Sequence, residues 1–356
     1  FGEDLRQDQR IQQLFVLMNH LLREDAATSR SGLSVDTYMV SPLNSRLGVI
    51  EWVDKTISLH EFMVRDTELV KKSDEAFTMY LEWFTKHNPS VFYNTVKREQ
   101  SIPMYNRVMN HLPKFMLRDA VWRLAASPEA FVHLRTQMLT SHACLSICHW
   151  LLGIGDRHPS NTLVRLDTGR FLGIDFGHAF GTATFLISIP ELLPIRLTPQ
   201  IINLASPLSE TGLLKETMVH TLQVMRDNYH VLLATMSVFI NEPSLDWLKN
   251  AQKQCRENVA YDEENWYPRE KVAAALNKLK GSHPRTVTAQ DLRSGHASKP
   301  HYNSLLNLLH DDTDTPWMRD MPEQGLTARQ QVECLIAQAT NQHILSKTFY
   351  GWQAWM

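Results

Sequence analysis

Two short segments of this chain carry oxygen-bearing side chains at a spacing that suits a hard cation. The first is Gly155-Asp156-Arg157-His158-Pro159-Ser160-Asn161 and the second is Ile174-Asp175-Phe176-Gly177. Between them Thr162 to Leu166 reads as a strand, Asp167-Thr168-Gly169 as a turn, and Arg170 to Ile174 as the returning strand. In an antiparallel hairpin the residue before the first strand faces the residue after the second. That rule predicts Asn161 opposite Asp175 at the open end, with the strands about 4.8 Å apart. An amide oxygen and a carboxylate so placed can share magnesium, which takes oxygen ligands. Asp156 lies five positions before Asn161. A polar hairpin tip without chemistry accounts for either segment alone, but poorly for both at this spacing.

The elements that must hold these residues are legible on either side. Ser127 reads as an N-cap with Pro128 in the first helical position, where a missing N–H costs nothing. An apolar stripe follows through Phe131, Leu134, Met138, Leu145, Cys148 and Leu152, and Gly153 ends the helix just ahead of the first segment. Near the start, Ile11, Leu14, Phe15, Met18, Leu21 and Leu22 repeat at helical spacing. Thr37 to Val40 and Gly48 to Val53 read as short strands separated by Ser41-Pro42. Met218 to Leu233 and Lys271 to Leu279 read as further helices.

From Gly281 to Gly325 the periodicity dissolves among His, Pro, Gly and Ser and the acidic cluster Asp311, Asp312, Asp314, leaving one apolar piece at Leu305 to Leu309. This reads as a mobile insert. Order returns at Thr327-Ala328-Arg329-Gln330, a capping box, followed by the stripe Val332, Leu335, Ile336, Ala339. The chain closes on Phe349, Tyr350, Trp352, Trp355 and Met356. So apolar an end must bury itself on the protein body, a partner or a membrane surface. Only Lys347 lies near the aromatics, too little charge to favour anionic lipid.

Composition narrows the field. The length of 356 residues suits two or three domains or one bilobal unit, and 43% hydrophobic residues supply an ample core. Lys and Arg number 36 against 38 Asp and Glu, so no global basic field argues for direct nucleic-acid binding. Cys144, Cys148, Cys255 and Cys334 form no disulfide framework, which fits a reducing compartment. Cys144 and Cys148, with His142 and His149 nearby, could hold a metal. Two small core residues on one helix face is the simpler reading, because no second ligand pair is spaced to complete a zinc site. No apolar stretch reaches the roughly 20 residues of a membrane span, so no membrane partner is expected. Phe1 is not a start methionine, and the chain reads as a fragment of something longer.

The Asp-to-Asn spacing and the Asp-Phe-Gly match the catalytic-loop and metal motifs of protein kinases, except that His158 follows the Asp instead of preceding it. With the closing segment Gln331-Val332-Glu333-Cys334-Leu335-Ile336-Ala337-Gln338-Ala339-Thr340 and Gly351-Trp352-Gln353-Ala354-Trp355-Met356, the chain resembles the phosphoinositide-3-kinase-related protein kinases. Glu3 to Asp8 is similar to the family's helix beneath the ATP site, Ile50-Glu51-Trp52-Val53 to its hinge, and the ending to its FATC segment. Gly153 to His158, Asp175 to Gly181, Pro190-Glu191-Leu192, Asn265 to Arg269 and the final Trp-Met favour the DNA-repair branch. The likeness covers nearly the whole chain and is loosest from Glu61 to Ala125.

The resemblance implies an α+β protein-kinase-like bilobal fold of the phosphoinositide-3/4-kinase type, with a truncated N-lobe, a mainly helical C-lobe and C-terminal FATC helices. The expected division is 1–53 for the N-lobe remnant and hinge, 54–280 for the C-lobe, 281–324 for the insert and 325–356 for the FATC segment. ATP and Mg2+ are the implied cofactors. Asp156 becomes the catalytic aspartate, and Asn161 and Asp175 the magnesium ligands. His158 either stabilises the transferred phosphoryl group or orients Asp156. Trp52 packs on adenine beside the hinge backbone of Glu51 and Val53, with Tyr38, Ile50, Leu163 and Ile174 as apolar walls; each alone would pass for core. Glu3 or Asp8 pairs with the phosphate-binding lysine. Phe176, Gly177, His178 and Pro194 belong to the activation segment. In the family that lysine and the glycine-rich loop lie just ahead of the position of Phe1.

The substrate class does not follow from these motifs, which related lipid kinases share. From His178 to Ile195 there is no Lys or Arg, and Arg196 is the first basic residue. A phosphorylated inositol headgroup would call for basic side chains there, so a protein substrate is expected. A lipid kinase and an inactive kinase-fold scaffold are the alternatives. The family further implies Ser/Thr-Gln sites, double-strand-break repair by non-homologous end joining, and a nuclear location. Its implied partners are protein substrates, the FAT and helical-repeat regions of the same polypeptide, and DNA-end-binding accessory subunits.

Overall fold

The helix Pro128–Leu152 runs through the centre of the protein. Ser127 Oγ accepts the Ala130 N–H at 3.2 Å, Pro128 opens the first turn, and Gly153 closes the helix at φ 60°. Every residue from Ser141 to Leu152 is buried, so its second half is enclosed on all sides, beyond the one stripe expected. Around it pack the helices Met116–Leu124, Pro199–Ala205, Leu213–Asp227 and Trp266–Leu279. The computed structural model describes residues 5–44, 47–87, 89–185, 187–240, 266–310, 316–318 and 321–356. Glu3, Cys255, Asn265 and the acidic cluster Asp311, Asp312, Asp314 lie outside them.

The fold is mostly helical with little sheet. The first helix, Arg6–Glu24, buries Ile11, Leu14, Phe15, Met18, Leu21 and Leu22. Strands β1 (Val40–Asn44) and β2 (Leu47–Ile50) form an antiparallel pair with Val40 opposite Ile50. Ser41-Pro42, expected to separate two strands, therefore sits inside β1. A two-stranded sheet has only edge strands, where proline is tolerated. Strand β3 (Thr56–Ser58) pairs with β4 (Thr162–Arg165), which pairs with β5 (Phe171–Gly173). Sequence periodicity did not reveal the three-residue β3.

Two further expectations need correcting. Met218 to Leu233 is not one helix; the chain breaks at Asn228 between Leu213–Asp227 and Tyr229–Ile240. Asn228 Nδ2 donates to the Val224 carbonyl at 2.9 Å, a local bond that competes with helix continuation. The segment 281–324 holds the helices Pro284–His296 and Tyr302–His310, with Val287, Leu292, Leu305, Leu308 and Leu309 buried. Pro284 opens a helix instead of breaking one. His283, His296 and His301 are buried, and burial pulls the His296 pKa down to about 4.

The closing segment lies on the protein body. Thr327 and Gln330 form the expected capping box, starting Ala328–Ala339. Trp352, Trp355 and Met356 are buried, while Phe349 keeps 37% exposure. Tyr80 Oη, on the helix Thr67–Lys86, donates to the carbonyls of Ser346 and Thr348, both at 2.9 Å. Tyr105 Oη, on the helix Arg98–His111, donates to Ala354 O at 3.1 Å.

Candidate active site

The two aspartates read as chemical residues share an unusual backbone. Asp156 has φ 60° and Asp175 φ 57°, the left-handed region that costs a non-glycine residue roughly 1–2 kcal/mol. Neighbouring bonds hold both in place. The Asp156 N–H donates to Glu191 Oε2 at 2.7 Å. Arg157, buried at the hairpin mouth, donates to Asn161 O at 3.3 Å, to Ile174 O at 2.8 Å and to Asp175 O. One guanidinium thus ties together the main chain at both ends of the hairpin.

The hairpin register differs from expectation by one residue. Asn161 O accepts the Ile174 N–H at 3.1 Å, so Asn161 faces Ile174 and not Asp175. The cause lies at the other end. Arg165 pairs with Arg170, and Leu166 donates to Lys55 O at 2.8 Å, which leaves a four-residue loop where three were expected. The offset counts against a directly facing pair. The Arg157 clamp adds to the strand ladder, tying the Asn161 and Asp175 carbonyls to one side chain.

The donor set suits a hard cation. The Asp175 side chain is exposed, and its Oδ1 accepts the Gly177 N–H at 3.2 Å. Asn161 is buried, and its Nδ2 donates to Asp156 O at 3.0 Å, so Oδ1 is the oxygen it can offer. One carboxylate and one amide oxygen match magnesium, which keeps several waters and needs few protein ligands. Among the described residues no cluster of three His, Cys, Asp or Glu could hold a metal. Cys144 and Cys148 are buried core thiols, Cys144 lying 3.4 Å from Thr221 Oγ1. His158 Nε2 is 4.0 Å from Asp156 Oδ2, too far for a hydrogen bond, and burial holds its pKa below the ordinary value against the pull of Asp156.

The residues assigned to the nucleotide divide into two groups. Trp52 is 86% exposed and Ile50 and Glu51 are exposed beside it, with Glu51 Oε2 accepting the Met39 N–H at 2.7 Å. An open indole of this kind can stack on a base. Residues 51–55 lead from β2 into β3, where Ser58 pairs with Leu163. Val53, Leu163 and Ile174 are partly buried against the core. Tyr38 is buried and stacks on Phe176 at 6.5 Å between ring centroids, placing it behind the Asp-Phe-Gly segment.

Asp8 does not stand free for a lysine alone: its Oδ1 accepts the Phe176 N–H at 3.1 Å.

The segment expected to be the activation segment is sewn to the end of the central helix. Gly155 N donates to His178 O at 2.9 Å, Phe180 N to Leu152 O at 2.8 Å, and Gly181 N to Gly153 O at 2.8 Å. Gly153 and Gly181 have positive φ, and a Cβ on Gly153 would come within 2.6 Å of the Gly181 nitrogen. On the far side of Gly181 sits Asp291, ion-paired with buried Lys271 at 3.0 Å. Pro194, partly buried, borders a small polar cavity with Glu191, Lys278 and Asp291. Among the described residues no helix is long and apolar enough to cross a membrane.

Sequence reasoning missed Arg157, Glu191 and Arg196 as site residues. Arg157 sits inside the motif, and Glu191 inside a tripeptide noted only for resemblance. Arg196 was marked as a basic residue after Gly177; the structure buries it, with Nη1 donating to Arg157 O at 3.0 Å. None of these contacts leaves a periodic signal.

Comparison with known proteins agrees with this architecture. Residues 1–249 match the family described as phosphatidylinositol 3- and 4-kinase, and residues 325–356 match the FATC domain. The chain belongs to the phosphatidylinositol 3- and 4-kinase family and ends in a FATC domain. It is 40% identical over 375 residues to the DNA-dependent protein kinase catalytic subunit of Xenopus laevis and 39% identical over 374 residues to that of Mus musculus, covering 100% of this chain each time. It is 29% identical over 374 residues to the serine/threonine-protein kinase mTor of Drosophila melanogaster, covering 98% of this chain and 14% of that protein. The chain spans 9% of the length of the first two relatives. A solved structure, the FAT and kinase domain of CtTel1, superposes on 100% of this chain and 21% of its own with a TM-score of 0.69 at 23% identity, a likeness of fold.

Proposed function

We propose that this chain is the catalytic part of a serine/threonine protein kinase that transfers the γ-phosphoryl group of ATP to a protein hydroxyl. The observation that carries the reading is the pair of left-handed aspartates, Asp156 and Asp175, held at one hairpin mouth by Glu191 and Arg157. Phosphoryl transfer depends chiefly on positioning and charge neutralisation, which such rigid backbone supplies. Asp156, half exposed, orients the substrate hydroxyl and accepts its proton. Asn161 and Asp175 would hold magnesium, which when bound would neutralise charge on the phosphates. Trp52 and the hinge receive adenine.

A protein substrate is favoured over a lipid. Arg196, the first basic residue after Gly177, is buried and donates to main-chain carbonyls, so it offers no charge to an inositol phosphate. The higher identity to DNA-dependent protein kinase than to mTor supports a role in nuclear double-strand-break repair, with Ser-Gln or Thr-Gln sites as targets. The remainder of the polypeptide and DNA-end-binding subunits are the partners this reading implies. Parallel assays of the full-length protein on a Ser-Gln peptide and on phosphoinositide vesicles test it. Peptide phosphorylation is expected; preferential lipid turnover would overturn the substrate assignment.

A further inference from the structure

Trp352, in the C-terminal segment, meets the catalytic loop by two routes that close into a ring. Its indole N–H donates to Glu191 Oε1 at 3.2 Å, while Glu191 Oε2 accepts the Asp156 N–H at 2.7 Å. Its carbonyl accepts from Arg196 Nη1 at 2.8 Å, and the same nitrogen donates to Arg157 O at 3.0 Å. The Arg196 guanidinium also lies over the Trp352 ring, 4.5 Å from its centroid, and Nη2 donates to Gln353 O at 3.0 Å and Met356 O at 2.6 Å. Asp156 and Arg157 are adjacent, so both routes end on the two residues that set the loop. We propose that Glu191 is a positioning residue through which Trp352 fixes the backbone of Asp156.

The geometry favours this role over plain packing. A left-handed aspartate aims its side chain according to its main chain, and the one N–H that could anchor that main chain is held by Glu191. Gly155 permits the approach: a Cβ there would stand 2.3 Å from Ala183 Cβ and 3.2 Å from Glu191 Oε2. The other end of the bridge is firm as well. Trp352 is buried, and the segment around it is tied by Tyr80 and Tyr105 to two helices remote from the loop. A carboxylate accepting one N–H from each side transmits position, because its two oxygens are rigidly joined.

This role rests on the kinase reading, and the test separates the two. In the full-length protein, Trp352→Phe keeps an aromatic ring but loses the indole N–H with the five-membered ring, whereas Glu191→Gln keeps the side-chain shape and places an amide N–H against one of the two donors. Each change is expected to lower kcat about tenfold, the worth of roughly one hydrogen bond to a charged group, with KM for ATP unchanged. The double variant should be no worse than the weaker single, since both cut one bridge. Amide hydrogen exchange at Asp156 should rise about tenfold in each single variant while the helix Thr67–Lys86 keeps its protection. Multiplicative losses in the double variant, or unchanged exchange at Asp156 in Trp352→Phe, would overturn the proposal. If the unmodified protein transfers no phosphoryl group, the kinase reading fails, and hydrogen exchange still decides whether the bridge operates.

Discussion

Asp8 on the first helix accepts the backbone N–H of Phe176 at 3.1 Å, and the next residue back, Gln7, donates to the Phe176 carbonyl at 2.5 Å and to the Gly177 carbonyl at 3.1 Å. One helical turn therefore grips the main chain on both sides of a residue 168 positions away. Asp8→Ala is expected to cost about 1.5–3 kcal/mol, the range for a bond to a charged group. Asp8→Asn keeps the acceptor and should restore most of the melting temperature. If Asn restores melting but not turnover, the charge of Asp8 serves a second partner such as a lysine. Equal melting of Ala and unmodified protein would refute the grip.

Removing the Asp175 carboxylate tests the metal site. Asp175→Ala in the full-length protein should reduce phosphoryl transfer at least about a thousandfold, because roughly 4 kcal/mol of charge stabilisation corresponds to that factor. Its side chain is exposed and its Oδ1 bonds only locally, to the Gly177 N–H, so melting should shift by no more than about 1 kcal/mol of stability. Activity that survives the change would remove Asp175 from the metal assignment.

The C-terminal aromatics offer a second measurement. Trp352, Trp355 and Met356 are buried against helices of the main body, and Trp355 lies 4.9 Å from Tyr80 between ring centroids. Each buried aromatic stabilises by about 1.5–3 kcal/mol. Deleting Phe349 to Met356 should therefore lower melting temperature and kinase activity together. Unchanged melting after the deletion would mean that the segment serves a partner instead.

Acid should weaken the same region through His142. This ring is buried, with Nε2 2.7 Å from Arg196 O, so the neutral form donates there. Burial lowers its pKa to about 4, from an unfolded value near 6.5. A depressed value means the unfolded chain binds the proton more readily. The stabilisation is whole above pH 6.5 and is lost as pH falls towards 4, amounting to roughly 3 kcal/mol at the limit. His142→Gln keeps a donor without titrating and should flatten the loss between pH 6.5 and 4 in a denaturation series. An unchanged slope would assign it to other groups.

The sequence by itself determined the local elements. Ser127, Pro128 and Gly153 bounded the central helix because caps and φ preferences act within a few residues. Thr327 and Gln330 did the same for Ala328–Ala339, and the hairpin between the two motifs was visible from strand and turn chemistry. What only the tertiary structure decided was register and partnership. The pairing of Asn161 with Ile174 depended on Leu166 being drawn to Lys55, in the turn ahead of β3, a contact no local pattern encodes. The helix Pro284–His296 was hidden because it buries Arg285, Asp291 and His296 among its apolar residues, and buried polar side chains break the apolar periodicity that marks a helix. Glu191, Arg196 and Arg157 gain their roles by joining backbone groups from distant parts of the chain. A hydrogen bond to a carbonyl puts no requirement on the side chain of the residue that accepts it, so the sequence of the accepting segment carries no trace of its partner.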